Sequence, residues 1–284
     1  MNNQRGEVKK ICIVHLVRKK NELAVFERFI NSYKFFDAGI DHDLIIIYKG
    51  FKAEFDIFPY EEKIIDTKHK IYKCSDIGYD LKAYSSCFKK FKNNYEYFCF
   101  LNSFSELNGE NWLRKLWMPF NDKGVGLVGA TGSYGTMVPK YQAPSSNLAT
   151  WKKVLRPILL PLLIRFKELS FDGFPNPHIR TNGFIISTAI FNKIKFPLFF
   201  RKLEAYKFES GRFGLTNQVK LLGLKCVIVG NNGNSYSENN WPESEIFWSS
   251  KQENLLIKDN QTNYYENADN ATKKKLTISA WHGS

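Results

Sequence analysis

Four polar side chains in five positions follow one apolar run. Tyr97–Leu101 (YFCFL) is short, aromatic and free of charge, the composition of a strand buried on both faces. Asn102, Ser103, Ser105 and Glu106 come directly after it, with Phe104 between them. Polar groups at the end of a buried strand sit at the carboxyl edge of a sheet, where open α/β sheets bind ligands. Asn and Ser are also ordinary cap and turn residues, so this stretch alone supports a capped helix equally well.

Other stretches show the same pattern. Asp76 and Asp80 flank Gly78 ahead of a helical stretch, and Asp80 suits the first turn of that helix. His178 and Arg180 precede the strand-like Thr181–Ser187. Glu209, Ser210 and Arg212 open Phe208–Gly223, whose Leu215, Val219 and Leu222 fall at helical spacing. Each group alone fits a cap or a solvated turn. Together they place carboxylates, cations and hydroxyls on one rim, where Arg180, Arg212 and His178 could meet anionic ligand groups and Glu209 could deprotonate a hydroxyl.

The elements that must carry these residues alternate. Lys10–Val17 and Asp43–Lys49 read as buried strands, Lys63–Asp66 as a short third, and Glu22–Ala38 as the helix between the first two, stopped by Gly39. Strand, helix, strand predicts a parallel Rossmann-like sheet. Trp112–Trp117 reads as a short helix, Val125–Thr131 as a glycine-rich strand, Ser133–Asn147 as a loop and Cys226–Val229 as a strand. Trp151–Leu169 places apolar residues on one side of a helix and Lys152, Lys153, Arg156, Arg165 and Lys167 on the other, with Pro161 as a kink. That is the pattern of a helix lying on a membrane surface, and also of a core helix with a basic solvent face.

Composition narrows the function. With 284 residues and 43% hydrophobic content, the chain can bury the core of one large α/β domain or of two small ones. A net charge of +13 favours anionic partners: nucleic acid, a membrane surface or phosphorylated small molecules. The five cysteines are odd in number and contain no CxxC pair, and Cys12, Cys99 and Cys226 lie in apolar runs, so reduced core thiols and a cytoplasmic protein are expected. No P-loop, GxGxxG, HExxH or GxSxG pattern is present.

The chain resembles GT-A glycosyltransferases of the bacterial surface-polysaccharide kind. The resemblance rests on the opening KICIVHLVRKKNELAVFERFINSY, on DIGYDLKAY, on FLNSFSE at the place of the family's Asp-x-Asp, and on FESGRFGLTNQVKLLGLK. It runs to about residue 265 and implies a single α/β domain over 1–284, with a mostly parallel central sheet flanked by helices and a basic amphipathic insertion at about 151–169. The implied activity is transfer of a sugar from a nucleotide-diphosphate sugar to a glycan or lipid-linked glycan, with inversion, in cell-surface polysaccharide (capsule or lipopolysaccharide) synthesis. Glu209 stands at the position of the catalytic base. The donor side comprises His15, Asp76, Gly78, Asp80, Tyr84, Asn102, Ser103, Ser105, Arg180 and Arg212. The acceptor side comprises Thr131, Tyr134, His178 and Trp241.

FLNSFSE departs from Asp-x-Asp. Mn²⁺ and Mg²⁺ prefer carboxylate oxygens, and Asn and Ser offer neutral ones, so metal dependence stays open with Glu106 as the nearby carboxylate. The inner face of the cell membrane is the expected peripheral site and no nucleic acid is expected. Two other readings stand beside this one. A single-stranded nucleic-acid-binding protein would suit the charge and the aromatics, although these fall in buried-looking strands. A catalytically inactive, sugar-binding GT-A scaffold would suit the missing Asp-x-Asp.

Overall fold

The structure is a computed structural model that describes residues 11–138, 161, 164–165, 167–197 and 202–283. Its strands are β1 (Ile11–Arg18), β2 (His42–Lys49), β3 (Lys70–Cys74), β4 (Tyr97–Leu101), β5 (Glu106–Leu107), β6 (Val125–Gly129), β7 (Gly132–Ser133), β8 (His178–Ile179), β9 (Gly183–Ser187), β10 (Lys225–Val229), β11 (Ser235–Tyr236) and β12 (Ile257–Lys258). Eight of them form one sheet in the order β11-β10-β6-β9-β4-β1-β2-β3. β3, β2, β1 and β4 run parallel to one another, as do β10 and β6, while β9 lies antiparallel between β4 and β6. The expected class, a mostly parallel central sheet flanked by helices, is the one observed.

Period-two alternation builds the two core layers. Cys12, Val14 and Leu16 of β1 and Ile45 and Ile47 of β2 face helix α3 (Asp80–Phe91) through its Leu81, Tyr84 and Phe88. Ile11, Ile13, Leu44 and Ile46 face the other way, toward Phe26 and Phe29 of α1 (Leu23–Phe35), Tyr60 and Ile64 of α2 (Phe58–Ile64) and Leu113 of α4 (Trp112–Trp117). All five cysteines are free, and Cys12, Cys87, Cys99 and Cys226 are buried core residues.

Two boundaries differ from expectation. Lys63–Asp66 is no strand: it covers the end of α2 and the turn after it, and the third strand is β3. KIID carries an Ile pair, but Pro59 in the first turn and Tyr60–Ile64 at helical spacing make it the last turn of a helix. The helix expected over Phe208–Gly223 is broken. After α5 (Thr188–Phe191), helix α6 (Lys202–Ser210) ends at Ser210, Gly211 and Gly214 make the turn, and α7 (Leu215–Leu221) begins after it. The chain closes with α8 (Asn260–Asn267) and α9 (Asn270–Thr277). The basic stretch 151–169 falls largely outside the described residues. Among the described residues no helix is long and apolar enough to cross a membrane.

Candidate functional site

The carboxyl ends of β1, β2, β3, β4, β6 and β10 share one rim, and the antiparallel β9 brings its start, preceded by Arg180–Asn182, to the same edge. A continuous run of hydrogen bonds ties this rim together. The Asn21 N–H donates to the Arg18 carbonyl, and the Asn21 side chain donates to the Ser103 hydroxyl at 2.9 Å. The N–H of Asn102 donates to the Asn182 carbonyl, and so does the Ser105 hydroxyl. The Thr131 hydroxyl donates to Asn182 Oδ1 at 2.6 Å and accepts from Arg180.

At one end of the rim, Arg18 and Lys49 project from the last positions of β1 and β2 toward α3. Alternation puts both on that face, as it does Leu16 and Ile47. Arg18 lies 3.8 Å from Asp76 and 3.6 Å from Asp80, while Lys20 meets Asp76 at 2.6 Å. Lys49 is fully buried and donates to the carbonyls of Ser75 and Ile77, fixing the loop that carries Asp76. Gly78 has a positive φ of 74°, which allows that loop to turn into α3 without a side-chain clash. Burial pushes the Asp80 carboxyl up, with Arg18 and Lys49 drawing it back, whereas the Lys20 hydrogen bond pulls Asp76 down. Arg18 Nε, Asp76 Oδ1 and Asp80 Oδ1 are buried without a hydrogen-bond partner. The two carboxylate oxygens face the Arg18 guanidinium at ion-pair distance instead.

Farther along, a cavity of about 840 Å³ brings together Glu209, His178, Arg180, Tyr206, Trp248 and Gln261. Glu209 Oε2 accepts from the Thr181 N–H at 2.9 Å and from the Thr181 hydroxyl. His178 Nδ1 is 2.8 Å from the Asn176 carbonyl, which makes Nδ1 the protonated nitrogen. Burial lowers the His178 pKa, and the Glu209 carboxylate opposes that shift. The Arg180 guanidinium lies 4.1 Å above the Phe247 ring and pairs at 2.9 Å with the buried Asp259. Asp259 divides its carboxylate: Oδ2 takes Arg180, and Oδ1 caps α8 through Gln261 and Thr262.

Several expected ligand contacts are corrected by this placement. His15 is fully buried in the α1-facing core, stacked on Phe29 at 3.5 Å, with neither ring nitrogen hydrogen-bonded. Tyr84 is enclosed and donates to the Leu101 carbonyl, joining α3 to β4. Trp241 is completely buried with Nε1 bonded to the Tyr236 carbonyl, and the Tyr134 hydroxyl is taken by the Glu238 carbonyl. Thr131 is buried and supports Arg180. Arg212 turns outward to the Glu168 carbonyl and Asp172. Glu209 is also not at a helix N-terminus: it lies in the last turn of α6, where the helix dipole disfavours a carboxylate and the Thr181 donors stabilise it instead.

The donor set at Asn102–Glu106 does not fit a divalent cation. Asn102 Oδ1 accepts from the Phe104 N–H and the Ser105 hydroxyl, which closes a turn, and Ser103 is bonded to Asn21. Glu106 lies on β5 opposite Lys258 of β12. Among the described residues no group of three or more His, Cys, Asp or Glu side chains converges as metal ligands.

Sequence patterns missed Thr181, Asp259, Lys49 and Trp248. Asp259 could have been found from its Asp-x-x-Thr capping pattern, and Lys49 from its place at the end of an apolar run. Trp248 carries no periodic signal. It is held with a positive φ of 45°, in a loop where Glu245, Ser250 and Gln252 share that unusual sign. Its ring stacks on Phe247 at 4.5 Å, Gln252 Oε1 accepts from its backbone N–H, and its indole N–H donates to the Gln261 carbonyl.

No family model matches the chain, and no curated protein matches it. Among solved structures it is similar to a mannosyltransferase from Pyrobaculum calidifontis in complex with GDP-Man and Mn²⁺, at 10% identity over 84% of this chain and 60% of that one, with a TM-score of 0.46. Glucosyl-3-phosphoglycerate synthase from Mycobacterium tuberculosis, in complex with Mn²⁺, UDP and phosphoglyceric acid, is 15% identical over 75% of this chain and 63% of that one, with a TM-score of 0.39. A 4-diphosphocytidyl-2C-methyl-D-erythritol synthase from Anaerococcus prevotii is 11% identical over 78% and 86%, with a TM-score of 0.43. The chain thus spans less than two thirds of the length of the first two. Likeness at this level assigns no activity to this chain.

Proposed function

We propose that this protein is a GT-A glycosyltransferase that moves a sugar, with inversion, from a nucleotide-diphosphate sugar to a hydroxyl of a glycan or lipid-linked glycan in surface-polysaccharide synthesis. The observation that carries the reading is the cavity that seats Glu209 beside His178 and Arg180 on the rim that also holds Asp76 and Asp80. Thr181 occupies Glu209 Oε2, which leaves Oε1 for the acceptor proton. As that proton moves to Glu209, the acceptor oxygen forms its bond to the anomeric carbon. The bond from that carbon to the diphosphate oxygen breaks on the opposite face, and the electron pair leaves with the nucleoside diphosphate. Arg180, held by Asp259 and Phe247, supplies positive charge for the leaving group. Asp76 and Asp80 hold the nucleoside. The indole of Trp248, at the cavity wall, is the aromatic face for the acceptor ring, in the place expected for Trp241.

A thermal-shift screen against UDP, dTDP, GDP and CMP, with and without Mn²⁺, tests the reading, because a ligand of the folded state alone raises its stability. One nucleoside diphosphate stabilises the wild type, and Asp80→Ala removes the shift. Tight, salt-dependent binding of single-stranded DNA or RNA with no nucleotide shift would overturn it.

A further inference from the structure

Helix α6 contributes side chains to two cavities. Tyr206, Glu209 and Ser210 line the candidate site, while Lys207 and Phe208 line a separate cavity of about 640 Å³. The rim of this second cavity exposes large apolar side chains. Phe213 is 78% exposed, Leu221 75%, Leu169 73% and Leu222 42%. A cluster of this kind is unusual, because single exposed apolar residues are common but contiguous patches mark contact surfaces.

The groove is built, not frayed. Gln218 joins its walls: its side chain accepts from the Lys195 N–H at 2.7 Å and donates to the carbonyls of Lys195 and Phe213 at 2.9 and 2.8 Å. The floor is the stacked pair Phe196 and Phe208, 4.9 Å apart. Lys193, Lys195 and Lys207 line it, and among the described residues no carboxylate does. Asp172 near its edge is paired with Arg212. Apolar side chains ringed by cations of one sign, on a chain of net charge +13, are complementary to one surface above others: acyl chains beneath anionic headgroups.

We infer that this groove is a docking surface for an anionic lipid bilayer, with Phe213, Leu221, Leu222 and Leu169 entering the acyl boundary and Lys193 and Lys195 meeting the headgroups. It stands independently of the transferase reading. Because α6 separates the two cavities, docking here sets the candidate site beside the bilayer surface.

The test is co-sedimentation of the full chain with phosphatidylcholine vesicles and with phosphatidylcholine–phosphatidylglycerol vesicles at low salt. The wild type is expected to bind the anionic vesicles and to bind the neutral ones far less. Phe213→Ser combined with Leu221→Ser lowers partitioning about tenfold or more, and each of Lys193→Gln and Lys195→Gln lowers it about fivefold. Both apolar positions are exposed, so the melting temperature stays unchanged. The proposal is overturned if these variants sediment like the wild type while Lys152→Gln, Lys153→Gln and Arg156→Gln together abolish binding. It is equally overturned if the wild type ignores anionic vesicles and elutes as a dimer that Phe213→Ser dissociates, since the surface then belongs to a second copy. The nucleotide thermal shift is unaffected by every groove variant, which separates failure here from failure of the transferase reading.

Discussion

Thr181 holds Glu209 through one oxygen: its N–H donates to Oε2 at 2.9 Å and its hydroxyl donates to the same atom. Thr181 belongs to the segment leading into β9, and Glu209 to the last turn of α6. The pair therefore fixes a helix end against the sheet rim and orients the carboxylate at the same time. Thr181→Val keeps the shape and the N–H but removes the hydroxyl donor. A hydrogen bond to a charged group contributes about 1.5–3 kcal/mol. We expect kcat to fall by roughly tenfold or more with nucleotide affinity unchanged; an equal loss of nucleotide affinity would place Thr181 in donor binding.

His15 makes stability pH-dependent. Burial pulls its pKa down to about 3, whereas the unfolded value is about 6.5. Below the unfolded value the unfolded chain binds a proton that the folded chain refuses, so stability falls as pH drops through that window. Near pH 5 the loss from this residue is about 2 kcal/mol. Urea denaturation should show this part of the slope in the wild type and lose it in His15→Phe, whose ring suits the stack on Phe29. Parallel slopes would contradict this.

Arg180 and Asp259 are coupled. Both are largely buried, so removing one charge strands the other. Arg180→Met or Asp259→Asn should each cost about 3–5 kcal/mol in urea unfolding, and the double variant should cost less than the sum. Additive losses would show that the pair is not a unit.

Chelation should leave function in place. Asn102 and Ser103 are spent on hydrogen bonds at the Asp-x-Asp position, so turnover and nucleotide binding should survive EDTA at least in part. Complete loss on chelation, restored by Mn²⁺ or Mg²⁺, would show that Glu106 or another carboxylate completes a metal site.

β1, β2 and β4 were legible because their residues are continuous apolar runs, and they lie where DLIIIYK and its counterparts place them; β3, with lysines and largely exposed residues, was not. The Asn102–Ser105 cluster was legible as a strand end. What stayed hidden depends on contacts far apart in the chain. Trp241 and Trp248 are the same residue type seven positions apart, yet one is sealed in the core and the other lines the cavity. Only the loop's positive-φ backbone and the packing around it separate them. Arg212 and Arg180 likewise look equivalent in sequence. Asp259, 79 positions from Arg180, turns that side chain to the rim, and Asp172 draws Arg212 away.

Glu209→Gln tests the central claim most directly. It preserves shape and cannot take up a proton. Turnover is read as nucleoside diphosphate released from the nucleotide sugar whose nucleotide stabilises the wild type, with nucleotide binding measured in parallel. The account predicts a loss in kcat of about 10²–10⁴ with nucleotide affinity nearly intact. A Glu209→Gln protein that is thermally weakened but turns over at the wild-type rate would contradict it and leave Glu209 as a tether between α6 and Thr181.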